Sequence, residues 1–165
     1  MDMDDGDHGG DTPWDDDSLH EECGVYGLLG VDEAANYVAL GLHALQHRGQ
    51  ESAGIAAYHP ETGFNTVRRF GLVRDNFTKQ PVMDALPGRI AIGHTRYSTA
   101  GGKMPSLRET QPLYAEFALG SCAIAHNGNL VNVDDLRNDL EREGAIFSTR
   151  SDTEILVHLL ARARA

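Results

Sequence analysis

The sequence predicts an α+β domain, and three features of its element pattern carry that expectation. Extended apolar segments come in neighbouring pairs, and two helical segments follow one another near the end of the chain. Regular alternation of strand with helix, the mark of a doubly wound parallel sheet, is weak. A sandwich of two sheets between helical layers is compatible with this order, although propensity alone does not select it.

The elements follow in order. "GVYGLLG" (24–30) reads as a short buried strand. Asp32 can cap a helix over roughly 33–47, with Val38, Leu42 and Leu45 on one face and Gly49 as its stop. "SAGIAAYHP" (52–60) reads as a strand, "ETG" as a turn and "NTVRRFGLV" (65–73) as the hairpin partner, before a loop-like region to Pro87. "RIAIGHTRYS" (89–98) and "GSCAIAHNG" (120–128) look like central strands that end in polar residues. The segment between them is rich in turn formers. Asn132 can cap a helix that ends at Gly144, and "SDTE" (151–154) has the capping-box form ahead of the apolar run "ILVHLL". That run reaches Ala165 with no stop signal, so the sequence reads as cut inside a helix.

Composition narrows the class. The 165 residues carry a formal charge of −11, with 25 acidic and 14 basic residues. Ten of the acids lie in residues 1–22, which contain no Lys or Arg, leaving 15 acidic against 14 basic residues and a net of −1 for the remainder. An acidic tail with so little apolar surface predicts disorder. Nothing is basic enough for a nucleic-acid footprint, and no stretch approaches the roughly 20 apolar residues of a membrane span. Two cysteines, Cys23 and Cys122, make no disulfide framework, which points to the cytosol.

Cys23 stands where the acidic tail meets the first strand. It reads either as a buried inert thiol, the common fate of free cysteine, or as a nucleophile. No sequence neighbour supplies a base, and Glu21 and Glu22 disfavour a thiolate. Cleavage between Glu22 and Cys23 would change this. The new α-amine, with a pKa of roughly 7.7–8.0, is neutral in appreciable fraction at working pH and lies within reach of its own thiol. "AHNGNLVN" (125–132) holds Asn-Gly after an apolar strand. It is either a tight turn or an oxyanion hole in which the Asn127 amide and the Gly128 N–H face a developing negative oxygen. Arg96, at a strand end before a Gly-rich segment suited to a lid, is either a solvated arginine or a bidentate carboxylate grip. Asp152 competes with Ser151 for a capping role, or holds a substrate ammonium. His47, Arg48 and Gln50 suit a helix C-terminus or a cleft lining, and Cys122 reads as core. No cluster has metal-ligand spacing.

Taken in order, "ECGVYG", "LQHRGQESAGI", "GHTRYSTAG", "AHNGNLVN" and "SDTE" resemble the N-terminal glutaminase domain of the amidophosphoribosyltransferase family, within the N-terminal-nucleophile (Ntn) glutamine amidotransferases. The resemblance runs from about Glu22 to the end of the chain. It implies a four-layer αββα Ntn-hydrolase sandwich, truncated here. It divides the chain into a removed propeptide, 1–22, and a glutamine amidotransferase type-2 domain, 23–165, incomplete at its C-terminus and without a phosphoribosyltransferase domain. It implies Cys23 as nucleophile and α-amine base, Asn127 and Gly128 as oxyanion hole, and Arg96 and Asp152 as grips for the glutamine carboxylate and ammonium. Arg48, Tyr97 and Thr99 match supporting pocket positions. Ammonia from glutamine would attack phosphoribosyl pyrophosphate to give phosphoribosylamine in purine synthesis. The implied surroundings are a cytoplasmic homo-oligomer with no cofactor in this segment and Mg2+ on the phosphoribosyltransferase domain. An iron–sulfur cluster, which some members carry through cysteines beyond this segment, is left open. The sibling glutamine–fructose-6-phosphate aminotransferases favour "YRGYDS", "HTRWATHG" and "HNGIIEN", whereas this chain has Gln50 for the Tyr and Tyr97 for the Trp. A non-catalytic glutamine-binding domain is the third alternative, against which stand Cys23, Asn127 and Asp152, all present.

Overall fold

A computed structural model describes residues 23–48, 51–97, 106–118 and 120–163, without the side chain of Arg48. The expected leader, the Gly49 stop, Gln50, Thr99, the Gly-rich segment and the placement of the Arg48 side chain lie outside the described residues.

Four strands form one antiparallel sheet in the order β1-β4-β2-β3: β1 Gly24–Leu29, β2 Ser52–His59, β3 Gly63–Phe70 and β4 Ile90–Arg96. The register sets Gly24 opposite Thr95, Ser52 opposite Arg96 and Ile55 opposite Val67. The hairpin expected from 52–73 is therefore present, and β4 is central as expected. The second sheet is a two-stranded hairpin, β5 Leu113–Phe117 with β6 Gly120–Ile124. Here the sequence reading needs correction. β6 pairs only with β5 among the described residues, β5 itself was not expected, and Cys122 is half-buried rather than core.

Helix α1, Ala34–Ala44, covers one face of the larger sheet. Its buried residues Ala34, Ala35, Val38, Ala39 and Leu42 recur at helical spacing and meet Ala53, Ile55, Ala57, Val67 and Ala91 from the strands. Complete burial of side chains such as Leu42 and Ile55 stabilises the fold by roughly 1.5–3 kcal/mol each. Gly93 is what lets helix and sheet approach: a Cβ there would lie 2.6 Å from Leu42 Cδ1 and 2.7 Å from Val38 Cγ1. The helix is not capped by Asp32. Asp32 instead pairs with Arg89 at 2.9 Å, Glu33 takes the N-cap place in a left-handed conformation, and the Gly88 carbonyl accepts from the Ala34 N–H. A tertiary contact has replaced the local cap. The helix closes at Ala44 and a 3-10 turn, Gln46–Arg48, follows. The region expected as loop before Pro87 contains two short helices, α2 Val73–Asn76 and α3 Gln80–Asp84.

The opposite face of the larger sheet meets the hairpin. Tyr58, Phe64 and Tyr114 stack in series, with ring centroids 5.2 and 5.7 Å apart, joining β2, β3 and β5. Helices α4 Val133–Arg142 and α5 Asp152–Arg162 form the outer layer, with α5 against β5 and Ile155 fully buried. The order α1, sheet, hairpin, α4/α5 is the four-layer αββα arrangement. α4 stops at Gly144 as expected, through bonds from Gly144 N–H to the Glu141 carbonyl and Ala145 N–H to the Leu140 carbonyl. Arg137 ties the start of α5 to α4 by donating to the carbonyls of Thr149 and Ser151. None of the described helices is long and apolar enough to cross a membrane.

Candidate active site

The expected site residues fall on separate elements whose ends converge. Cys23 immediately precedes β1, and Arg96 closes β4, one residue beyond the Gly24–Thr95 pair. Asn127 and Gly128 follow β6, and Asp152 opens α5. Cys23 and Asn127 are 104 residues apart, yet Asn127 Nδ2 donates to the Cys23 carbonyl at 3.1 Å. An amide –NH2 carries two hydrogens. One is used by the Cys23 carbonyl, which leaves the second for another acceptor. Gly128 has φ +133°, a conformation that residues with a side chain rarely adopt, so the backbone at this position requires glycine.

Asp152 joins the same loop. Its Oδ2 accepts from the Leu130 N–H at 3.2 Å and lies 3.8 Å from His126 Nδ1, an ion pair only when His126 is protonated. The competition for the cap is settled locally: Ser151 Oγ accepts from the Thr153 N–H at 3.3 Å, which leaves Asp152 for other work. The capping box is incomplete. Glu154 does not turn back to Ser151 but accepts four bonds of 2.6–2.8 Å from the N–H and hydroxyl groups of Ser148 and Thr149. Burial alone would raise its carboxyl, but these donors outweigh burial and hold it below the usual carboxylate range.

Arg96 already has carboxylate partners. Its Nη1 donates to Glu109 Oε2 at 2.9 Å, and its Nε lies 3.8 Å from Glu51 Oε2. Tyr97, beside it, is exposed. Sequence reasoning missed Glu51 and Glu109, and also His94. The His94 ring is buried on the face toward the hairpin with neither nitrogen hydrogen-bonded. Burial, with Arg96 and His126 adding to it and the His126 backbone partly opposing, pushes its pKa down to about 4. Its position inside "GHTRYS", between two residues of a central strand, was the available signal. A cavity of about 460 Å3, lined among others by Asp32, His59 and Arg89, lies at the opposite end of the strands and touches none of these residues.

Comparison with known proteins agrees with this geometry. Residues 94–165 match the model of the glutamine amidotransferase domain. An amidophosphoribosyltransferase of Lacticaseibacillus casei is 48% identical over 150 residues, covering 91% of this chain and 76% of the relative. The chain belongs to the amidophosphoribosyltransferase family. Its relative from Rhizobium etli is 53% identical over 154 residues, 93% of this chain but 30% of the relative. The glutamine phosphoribosylpyrophosphate amidotransferase of B. subtilis, solved with ADP and GMP, superposes with a TM-score of 0.75 at 42% identity, over 84% of this chain and 29% of that one. The chain thus spans about 30% of the length of that curated relative. It corresponds to a glutamine amidotransferase domain with the Ntn-hydrolase fold of these enzymes.

Proposed function

We propose that this chain is the glutamine-cleaving part of an amidophosphoribosyltransferase, with Cys23 as nucleophile once residues 1–22 have been removed. The observation that carries the reading is the hydrogen bond from Asn127 Nδ2 to the Cys23 carbonyl, which ties the Asn127–Gly128 loop to the residue that bears the thiol across 104 residues of sequence.

The neutral α-amine of a terminal Cys23 takes the thiol proton, directly or through one water, and the sulfur attacks the side-chain carbonyl carbon of glutamine. Negative charge develops on the former carbonyl oxygen, where the free hydrogen of Asn127 Nδ2 and the Gly128 N–H stabilise it. The tetrahedral species collapses as the α-ammonium returns its proton to the leaving nitrogen, so ammonia departs and a thioester remains. Water, deprotonated by the same amine, attacks the thioester carbonyl; the C–S bond breaks, glutamate departs, and the Cys23 thiolate takes its proton back from the α-ammonium. Arg96 binds the α-carboxylate of glutamine by sharing its guanidinium with Glu109, and Asp152 binds the α-ammonium. Arg48, Tyr97 and Thr99 support the pocket. Ammonia then attacks phosphoribosyl pyrophosphate on a phosphoribosyltransferase domain, where Mg2+ belongs, in a cytoplasmic homo-oligomer. Among the described residues no group of three or more His, Cys, Asp or Glu is placed to hold a metal ion, and the steps above use none.

An electrophilic glutamine analogue tests the reading. Protein with a free Cys23 amine should be alkylated on Cys23 in competition with glutamine. Labelling on Cys122, or none, contradicts it.

A further inference from the structure

We infer that Gln111 is a positioning residue that sets the oxyanion loop against the nucleophile. The inference rests on the role proposed above for Asn127 and Gly128. In the hairpin the last backbone pair is Leu113–Ile124, and continuing the ladder would set residue 112 against 125 and 111 against 126. Residue 112 is proline, which has no N–H to donate, so the backbone ladder stops. Gln111 continues it with its side chain. Oε1 accepts from the His126 N–H at 2.6 Å, and Nε2 donates to the His126 carbonyl at 3.1 Å. The carboxamide thus imitates a peptide group and grips both polar atoms of the residue just before Asn127.

The other end of Gln111 is held by the larger sheet. A Cβ on Gly54 would lie 2.2 Å from the Gln111 carbonyl oxygen, so this carbonyl rests on the bare backbone of β2. Next to it, Thr110 Oγ1 donates to Ser52 Oγ at 3.0 Å, both residues buried. β2 pairs with β4 and β4 with β1, the strand that follows Cys23. A closed circuit results: β1 through β4 and β2 to Gln111, then His126, Asn127 and back to the Cys23 carbonyl. Gln111 is the link that joins the two sheets in it. Without that link the loop keeps only the bonds of Asn127 to the Cys23 carbonyl and of the Leu130 N–H to Asp152, neither of which holds residue 126 against the hairpin, and a displacement of about 1 Å in a reacting geometry can cost on the order of a hundredfold in rate.

Two variants and two readouts test this on the protein with a free Cys23 amine. Gln111→Leu removes both bonds. Gln111→Glu keeps the acceptor but sets a second oxygen against the His126 carbonyl. In both, amide hydrogen exchange at 126–128 should accelerate at least tenfold while β2 and β4 keep their protection. Glutaminase kcat should fall about a hundredfold with KM for glutamine within twofold, because the oxyanion donors act on the transition state. The Glu variant alone should recover toward wild type as pH falls, since a protonated carboxyl donates to the His126 carbonyl as Nε2 does. If Gln111→Leu does not fold, the exchange and pH profile of Gln111→Glu decide. Unchanged exchange at 126–128, or a raised KM with kcat intact, overturns the inference. A wild-type protein with no glutaminase activity would remove the proposed function, and the exchange result would still decide the positioning role.

Discussion

Acidification should destabilise this domain through His94. The ring is 1% exposed and has no hydrogen-bond partner at either nitrogen. Its ordinary value of 6.5 falls to about 4 in the folded protein. The folded state therefore binds fewer protons than the unfolded state between these values. Stability from His94 is fully present above pH 6.5 and is lost as pH falls toward 4. The gap between 6.5 and about 4, at roughly 1.4 kcal/mol per pH unit, makes the full loss about 3.5 kcal/mol, of which about 3 kcal/mol is reached at pH 4, where the folded ring is half protonated; this is a large share of an ordinary domain's stability. Urea unfolding at pH 7 and pH 4 measures it, with His94→Leu as the control. The His126 carbonyl beside the ring already accepts from Gln111 Nε2, so leucine leaves no polar partner orphaned. The variant should lose about 3 kcal/mol less than wild type over this interval. Glu154, whose carboxyl is held low, contributes equally to both proteins and cancels. Identical losses in the two proteins would refute the reasoning, because His94 would then be solvated or paired.

Three further outcomes follow from the geometry. Asn127→Ala should lower glutaminase kcat by about a hundredfold to a thousandfold with little change in KM, read from steady-state glutamate release. Arg96→Lys should raise KM for glutamine more than it lowers kcat, since an ammonium cannot reproduce a planar fork shared between Glu109 and a substrate carboxylate. Gly54→Ala should destabilise the fold by about 1–3 kcal/mol in denaturant titration, because a methyl 2.2 Å from the Gln111 oxygen forces the two sheets to shift.

What the sequence made legible is local or motif-bound. The β2–β3 hairpin follows from two β-rich runs around Glu61, Thr62 and Gly63, and the α4 stop from Gly144. The α5 cap could be read from Ser151. The central place of β4 was also legible, since its run is apolar enough to be covered on both faces. Tertiary partners were not legible. Asp32 has the chemistry of a cap, but Arg89 is 57 residues away in sequence and takes its carboxylate. β5 escaped because "LYAEF" is short, mixed in polarity and follows a turn-rich stretch. Glu109 and Glu51 around Arg96, and Gln111 on His126, are contacts whose sequence separation leaves no periodic trace. The convergence of Cys23, Arg96, Asn127 and Asp152 was suggested by motif order alone, and the hydrogen bonds of Asn127 and Asp152 supply its physical content.

The central claim is that Cys23 becomes competent only when its own nitrogen is freed from Glu22. The direct measurement is the rate at which an electrophilic glutamine analogue alkylates Cys23 in two preparations, one still carrying residues 1–22 and one beginning at Cys23, each verified by intact mass. The second should be labelled rapidly and the first essentially not at all. Equal rates in both would show that some other group activates the thiol.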